Sequence, residues 1–156
     1  MTIFIPSNTF ATDTADFTYV SSTSTTEIRY LSNGYYEVIT LEEYNTPGIT
    51  PVINSTNSST KSGQKTSYIK NNNNETVATF TIKGTSSYTG TSCSCTAASY
   101  SSSINNSLWK FTSRSATPSG NSAIGNFTIK LYILNIPVQT VTDSITLSCD
   151  NNGNLS

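Results

Sequence analysis

The nine carboxylates are the first candidates for acid–base chemistry in this chain, because its 156 residues contain no histidine. Histidine is the commonest general base and a frequent metal ligand. Its absence excludes Ser-His-Asp and Cys-His catalysis within these residues, and it excludes zinc sites that use imidazole. Carboxylates could still support a glycosidase, in which two carboxyl groups of the enzyme flank the glycosidic bond that is cleaved.

The positions of the carboxylates argue against that chemistry as well. Most of them lie before residue 45, outside any predicted pocket. Adjacent residues on a strand point to opposite faces, so Glu42 and Glu43 would diverge. Asp143 falls on an otherwise apolar strand face, which indicates either a β-bulge or a position at the end of a sheet. The sequence therefore predicts no enzymatic activity and no cofactor.

Three cysteines are the other reactive groups. Cys93 and Cys95 are two residues apart, so on a strand both point to the same face, and only one of them can comfortably reach Cys149. We expect a disulfide between Cys95 and Cys149, which would close a loop of about 55 residues. Reduced, buried cysteines are the alternative. A metal site is not expected, because three thiolates have no fourth ligand nearby.

Tyrosines near the N-terminus are better suited to contact with a partner. They flank or follow a predicted β-hairpin, and an isolated two-stranded ribbon has a face that it cannot bury by itself. Charged residues lie on the same hairpin. The sequence therefore predicts a binding surface formed by Arg29, Tyr30, Tyr35, Tyr36, Glu37 and Tyr44.

Alternation of apolar and polar residues predicts the strands that carry these groups. Thr26–Leu31 and Tyr35–Leu41 flank Asn33-Gly34, and this dipeptide is the strongest short signal for a hairpin. Trp109 lies on an alternating strand and is expected in the core. Gly84 is expected to end a strand. The further predicted strands are Lys65–Lys70, Thr76–Lys83, Ser86–Ala97, Leu108–Ser113, Ala123–Leu134 and Val138–Cys149.

Short strands at this spacing predict an all-β fold, an antiparallel β-sandwich of immunoglobulin-like type with an N-terminal β-hairpin. Residues 1–15 are interpreted as an N-terminal segment, either the remnant of a signal peptide or a short first strand. Residues 16–45 form the hairpin unit. Residues 46–63 form a flexible linker that is rich in Pro, Asn, Ser and Thr, and residues 64–156 form the sandwich domain.

The composition indicates what kinds of partner to expect. Charged residues make up 11% of the chain and the formal net charge is -1, so there is no electrostatic footprint for a nucleic acid. Serine and threonine together are about a third of the chain, which is far above ordinary usage. No apolar run is long enough to span a bilayer, so membrane insertion is not expected. The sequence is typical of a secreted β-protein.

From about residue 61 onward the chain resembles a group of small, secreted, Ser/Thr-rich β-proteins of gut-dwelling Gram-positive bacteria. The segments that carry the resemblance are 61–66, 83–90, 107–110, 119–121, 138–142, 147–149 and 153–156, together with the hairpin 27–41. Members generally have one cysteine near Cys95 and one near Cys149, which implies the same pair here. Cys93 departs from that pattern. Some similar secreted proteins bind host immunoglobulin variable domains as superantigens.

Together, the residues and the resemblance predict a secreted binding protein without catalytic activity. Its expected partner is a host protein, with immunoglobulin as the candidate. A carbohydrate-binding or adhesion module is the first alternative, and a bacteriocin-like secreted toxin is the second.

Overall fold

The computed structural model describes residues 21–44 and 58–156, which form two antiparallel β-sheets. In the described residues the first sheet contains β1 (Ser21–Tyr30), β2 (Tyr36–Tyr44), β3 (Ser59–Lys70), β4 (Thr76–Tyr88) and β5 (Cys93–Ile104). The second sheet contains β6 (Trp109–Ser119), β7 (Ser122–Ile133) and β8 (Ile136–Ser148). This architecture confirms the predicted all-β fold with the two sheets of a sandwich.

The order of the strands is sequential in both sheets. The described chain passes from the first sheet to the second once, between β5 and β6. In the immunoglobulin fold, by contrast, the chain crosses three times between sheet ABED and sheet CFG. The immunoglobulin-like part of the prediction is therefore not confirmed.

The N-terminal hairpin is part of the first sheet. β2 pairs with β3 from Tyr36 opposite Lys70 to Tyr44 opposite Ser62. Residues 59–63, predicted to be linker, form the beginning of β3, because pairing with β2 and β4 satisfies their backbone groups. The predictions for residues 1–15, for the first part of the hairpin unit and for 46–57 lie outside the described residues.

Gly84 does not end a strand, contrary to the sequence-based expectation. It pairs with Gly63 and Ala98 in the middle of the sheet. A Cβ at this position would lie 3.0 Å from Ala123 Cβ and 3.1 Å from Leu147 Cδ2. The absence of a side chain thus allows the two sheets to approach closely, and β4 continues to Tyr88.

The core lies between the inward faces of the two sheets. Phe80 of β4 and Phe127 of β7 place their ring centroids 4.8 Å apart, and both side chains are buried. Trp109 is also buried, which confirms its predicted place in the core. Val141, Ile145 and Leu147 of β8 face inward as the alternation predicts, with Ile145 fully buried.

Candidate functional site

Four connections between strands gather at one end of the sandwich, because each sheet is an antiparallel meander. Tyr36 Oη donates a hydrogen bond to Asn74 Oδ1 at 2.7 Å, which joins the first connection to the second. The backbone N–H of Tyr132 donates to the carbonyl of Leu108 at 2.8 Å, which joins the third to the fourth. We call this end, formed by residues 31–35, 71–75, 105–108 and 134–135, the turn end.

The first connection is the hairpin turn that Asn33-Gly34 predicts. Both residues have positive φ, 59° and 78°, and the backbone N–H of Leu31 donates to the carbonyl of Tyr35 at 2.8 Å. Gly34 lies against the amide of Asn72, and a Cβ on this glycine would overlap that amide. The predicted turn is confirmed, and its contact with the next turn requires glycine.

The second connection is held by the side chain of Asn71. Its Oδ1 accepts hydrogen bonds from the backbone N–H groups of Asn73 and Glu75, both at 3.0 Å. Its Nδ2 donates to Glu75 Oε2 at 2.8 Å. Beside this ordered turn lies a depression of about 250 Å³, lined by Asn33, Tyr35, Asn71, Asn72 and Asn73. Amide groups around one aromatic ring can hydrogen-bond a peptide or a sugar.

Three of the predicted tyrosines meet at the turn end. Tyr30 is 86% exposed, and its ring centroid lies 6.4 Å from that of Tyr36. Tyr35 is half-buried, with its ring edge-on to Trp109 at 5.1 Å. Tyr44 pairs with Ser62 at the opposite end of the sheet, so the structure separates it from the others.

Glu37 is not a surface residue, contrary to the prediction. It points inward on the same face of β2 as Ile39 and Leu41, and its exposed fraction is 0%. The alternation of β2 was the signal that could have placed it inside. Arg29, its cross-strand partner on β1, is partly exposed at the margin of the same interior space.

Arg29 connects the hairpin to the second sheet through Asp143 on β8. Its Nε donates to Glu27 Oε1 at 2.8 Å, and its Nη1 lies 3.4 Å from both carboxylate oxygens of Asp143. Asp143 is paired opposite Phe127 with no irregularity in the register at that point. Neither a bulge nor a sheet end therefore explains Asp143, which faces Arg29 and Glu37 across the interface.

Glu37 is held in its neutral form. Its two carboxyl oxygens and the Ser67 hydroxyl are buried, and none of these atoms has a hydrogen-bond partner. Burial and the neighbouring Asp143 raise the pKa of Glu37 to about 8, although Ser67 and Arg29 act to lower it. A proton on Glu37 removes the charge that would otherwise be buried beside the Asp143 carboxylate. Glu37 is therefore uncharged inside the fold at neutral pH.

Lys65 makes a second connection between the sheets. Its Nζ donates to the backbone carbonyl of Thr146 at 2.9 Å, and Arg29 Nη1 donates to that of Ser144 at 3.3 Å. Burial lowers the pKa of Lys65. Both acceptors belong to β8, which is an edge strand of its sheet. The cluster of Arg29, Glu37, Lys65 and Asp143 thus attaches the hairpin and β3 to the second sheet.

The predicted Cys95–Cys149 disulfide is not confirmed, because all three cysteines of the described chain are free thiols. The thiol next to Cys149 is that of Cys93, while Cys95 Sγ lies 3.4 Å from the carbonyl of Ala97. Burial and the Cys93 thiol raise the pKa of Cys149 to about 12. Cys149 is therefore a protonated, unreactive thiol at neutral pH.

The asparagines of the second connection were not among the predicted binding residues. The signal was present, because Asn71–Asn74 is a polar run between two strands, and in a meander such a run lies beside the turn formed by Asn33 and Gly34. Only the pairing of β2 with β3 shows that the two turns are neighbours.

Comparisons with protein-family models, with curated proteins and with solved structures found no match to this chain. The resemblance to secreted proteins of gut bacteria therefore stays a prediction. Within the described ranges, no group of three or more potential ligands is placed to hold a metal ion. No helix in the same residues has the length and apolar character needed to cross a membrane.

Proposed function

We propose that this chain is a secreted, non-catalytic protein that binds a host protein through the turn end. The observation that carries the proposal is the 86% exposure of Tyr30 beside Tyr36 and the asparagine-lined depression. Tyrosine offers a large contact area at a low cost in conformational entropy, and asparagine offers adaptable hydrogen bonds. Antibody paratopes use the same combination of residues.

A non-catalytic role is supported by the burial of Glu37. Glu37 has a raised pKa and a nearby carboxylate, which are the usual features of a catalytic acid. Its side chain has no exposed area, however, so a substrate cannot contact it. The pair is better explained by its contacts between the sheets.

Immunoglobulin variable domains are the proposed partner, and the support for them is the resemblance described above. The net charge of -1 agrees with recognition by shape and hydrogen bonding more than by long-range electrostatic attraction. Secretion is proposed from the composition and from the same resemblance.

Biolayer interferometry of the full chain against Fab and Fc fragments of polyclonal immunoglobulin tests this proposal. We expect binding to Fab and not to Fc. Tyr30→Ser should weaken binding by about tenfold or more, because exposed tyrosines are frequent energetic centres of interfaces. Tyr100→Thr is the matched control, since Tyr100 is 43% exposed on β5 away from the turn end. This control should bind as the unchanged chain does.

Absence of Fab binding would contradict immunoglobulin as the partner. The wider proposal is then tested by a pull-down from serum and intestinal secretions with the unchanged chain and with Tyr30→Ser. The wider proposal fails if the unchanged chain retains no protein that the Tyr30→Ser variant loses.

Carbohydrate binding is the second proposal, and the depression around Tyr35 favours it. A ring surrounded by amide groups is a suitable environment for a sugar. A glycan array on which the chain gives no signal would contradict it, and so would a signal that Asn72→Ala leaves unchanged. No feature of residues 21–44 and 58–156 favours the bacteriocin-like alternative over these two.

A further inference from the structure

An exposed apolar cluster lies at the turn end, on the second sheet. Five of the eight large hydrophobic side chains that are exposed in the described ranges belong to it. Leu134 is the most exposed, at 89%, and the others are at least half exposed. We call this cluster the apolar tip, and its members are Leu108, Ile133, Leu134, Ile136 and Val138.

The apolar tip projects from the sandwich. The first residue of β6, Trp109, pairs with Leu131, so the last two residues of β7 extend beyond β6. Ile133 pairs with Ile136 on β8, and Leu134 and Asn135 form the turn between them. Leu108 lies beside this hairpin through its carbonyl, which accepts the hydrogen bond from Tyr132. A projecting hairpin of this kind can insert into a lipid bilayer or into a deep groove on another protein.

The turn of the apolar tip carries an unusual residue. Leu134 has φ +50° and Asn135 has φ +64°. Such two-residue turns ordinarily use asparagine, aspartate or glycine, because a branched apolar side chain is unfavourable at positive φ. A leucine held in this strained conformation at the most exposed point of the hairpin is the pattern expected where display of the side chain has a function.

Two lysines lie immediately behind the apolar tip. Lys110 on β6 and Lys130 on β7 are paired directly opposite each other, and Lys110 Nζ lies 5.3 Å from the centre of the Tyr132 ring. In the described residues neither lysine forms an ion pair with a carboxylate. Like charges in directly opposed positions are destabilising, and a bound anion would relieve that repulsion.

The composition of this region distinguishes a lipid partner from a protein partner. Energetic centres of protein interfaces are enriched in Trp, Tyr and Arg, whereas Leu and Val are under-represented. The apolar tip has only Leu, Ile and Val, which are the residues that partition favourably into hydrocarbon. Tyr132, Lys110 and Lys130 lie behind the apolar tip. If the tip enters the acyl region, these residues lie at the level of the lipid headgroups, where aromatic and basic residues are enriched.

We propose that the apolar tip inserts into the interfacial layer of an anionic lipid bilayer. Leu134 and Ile136 enter the acyl region, while Lys110 and Lys130 contact the lipid phosphates. The proposal is independent of the proposed function, and it departs from the expectation of no membrane insertion. That expectation rested on the absence of an apolar run long enough to span a bilayer, whereas the fold assembles the apolar tip from two separate connections.

Vesicle flotation with the full chain tests the proposal. We expect the protein to float with vesicles of phosphatidylcholine and phosphatidylglycerol, and to float less with phosphatidylcholine vesicles. Leu134→Asn should lower the partition coefficient by about tenfold or more, because the binding strength scales with the buried apolar area. The same variant places asparagine at a positive φ, so it should not destabilise the fold. Circular dichroism checks that it is folded.

Ile28→Thr is the matched control, because Ile28 is 55% exposed on β1 and lies outside the apolar tip. It should float like the unchanged chain. The double variant Lys110→Gln, Lys130→Gln should lose the preference for anionic vesicles.

Absence of flotation with either vesicle would overturn the proposal, and so would a Leu134→Asn variant that floats normally. Sedimentation velocity gives a separate outcome. If the chain does not float but forms a dimer that Leu134→Asn abolishes, the apolar tip is a contact between two copies and the lipid proposal is wrong.

Discussion

At the scale of single residues, Glu37 and Asp143 place two carboxyl groups inside the interface between the sheets. Each lies on the strand face that carries the buried apolar residues. Two ionised carboxylates in a space of low dielectric would repel each other strongly, so Glu37 retains its proton. Arg29 compensates the negative charge of the Asp143 carboxylate.

The proton on Glu37 predicts that the chain loses stability as the pH rises. The pKa of Glu37 in the folded chain is about 8, above its ordinary value of 4.5. The contribution of Glu37 to stability is therefore complete below about pH 4.5, falls as the pH rises, and is lost above about pH 8. Glu37→Gln removes this ionisation, so the variant should be more stable than the unchanged chain, by a few kcal/mol, at about pH 9.

Urea denaturation at about pH 5 and about pH 9 measures this difference. Glu42→Gln, on the opposite face of β2, is the control and should show the pH dependence of the unchanged chain. A Glu37→Gln variant whose stability falls with pH as steeply as that of the unchanged chain would show that Glu37 does not carry the effect.

At the scale of elements, glycine positions determine how closely the two sheets pack. A Cβ on Gly84 would lie close to Ala123 and Leu147, and a Cβ on Gly125 would overlap the side chain of Ile82. Both glycines lie within strands, where glycine ordinarily weakens the structure. Their value here is the close contact that they permit between β4 and β7.

Gly125→Ala should therefore destabilise the fold. The new methyl group would overlap Ile82 Cγ2 and lie 2.9 Å from Phe80 Cε1, and both of these side chains are fully buried in the core. Overpacking of this kind costs about 1–3 kcal/mol. Thermal or urea unfolding measures the loss. Asn126→Ala, at the exposed neighbouring position of β7, should change the stability by less than about 0.5 kcal/mol, and equal losses in the two variants would contradict this explanation.

At the scale of the whole molecule, the described chain crosses between the sheets once, so side-chain contacts must hold the two halves together. Arg29 and Lys65 do so at the hairpin side by binding backbone carbonyls of β8. At the opposite end, Cys93 of the first sheet lies next to Cys149, which follows β8. Both sets of contacts join the first sheet to β8 or to the residue that follows it.

Oxidation of the purified chain should therefore join Cys93 to Cys149 and leave Cys95 reduced. The bond would close a loop of about 55 residues and stabilise the fold by about 4 kcal/mol in the chain-entropy model. Its formation should be slow at neutral pH and faster in alkaline buffer, because the pKa of Cys149 is raised to about 12. Peptide mapping by mass spectrometry identifies the pair. Cys95→Ser should still form the bond, and a Cys95–Cys149 peptide would contradict the prediction.

The sequence by itself determined the features that depend on local patterns. Period-two alternation predicted the strands, Asn33-Gly34 predicted the hairpin turn, and Trp109 was expected in the core. These hold because the conformation of a turn and the alternation of a strand depend on neighbouring residues. The tyrosines at the turn end were found for the same reason, since three of them flank that turn.

The tertiary structure decided everything that depends on which strands become neighbours. It placed Glu37 inside, brought Asp143 to Arg29, put Cys93 beside Cys149 and assembled the apolar tip from two connections. Each of these contacts joins residues that are distant in the chain. No local pattern specifies such a contact, because it arises from the pairing order of the strands and from the way one sheet packs on the other.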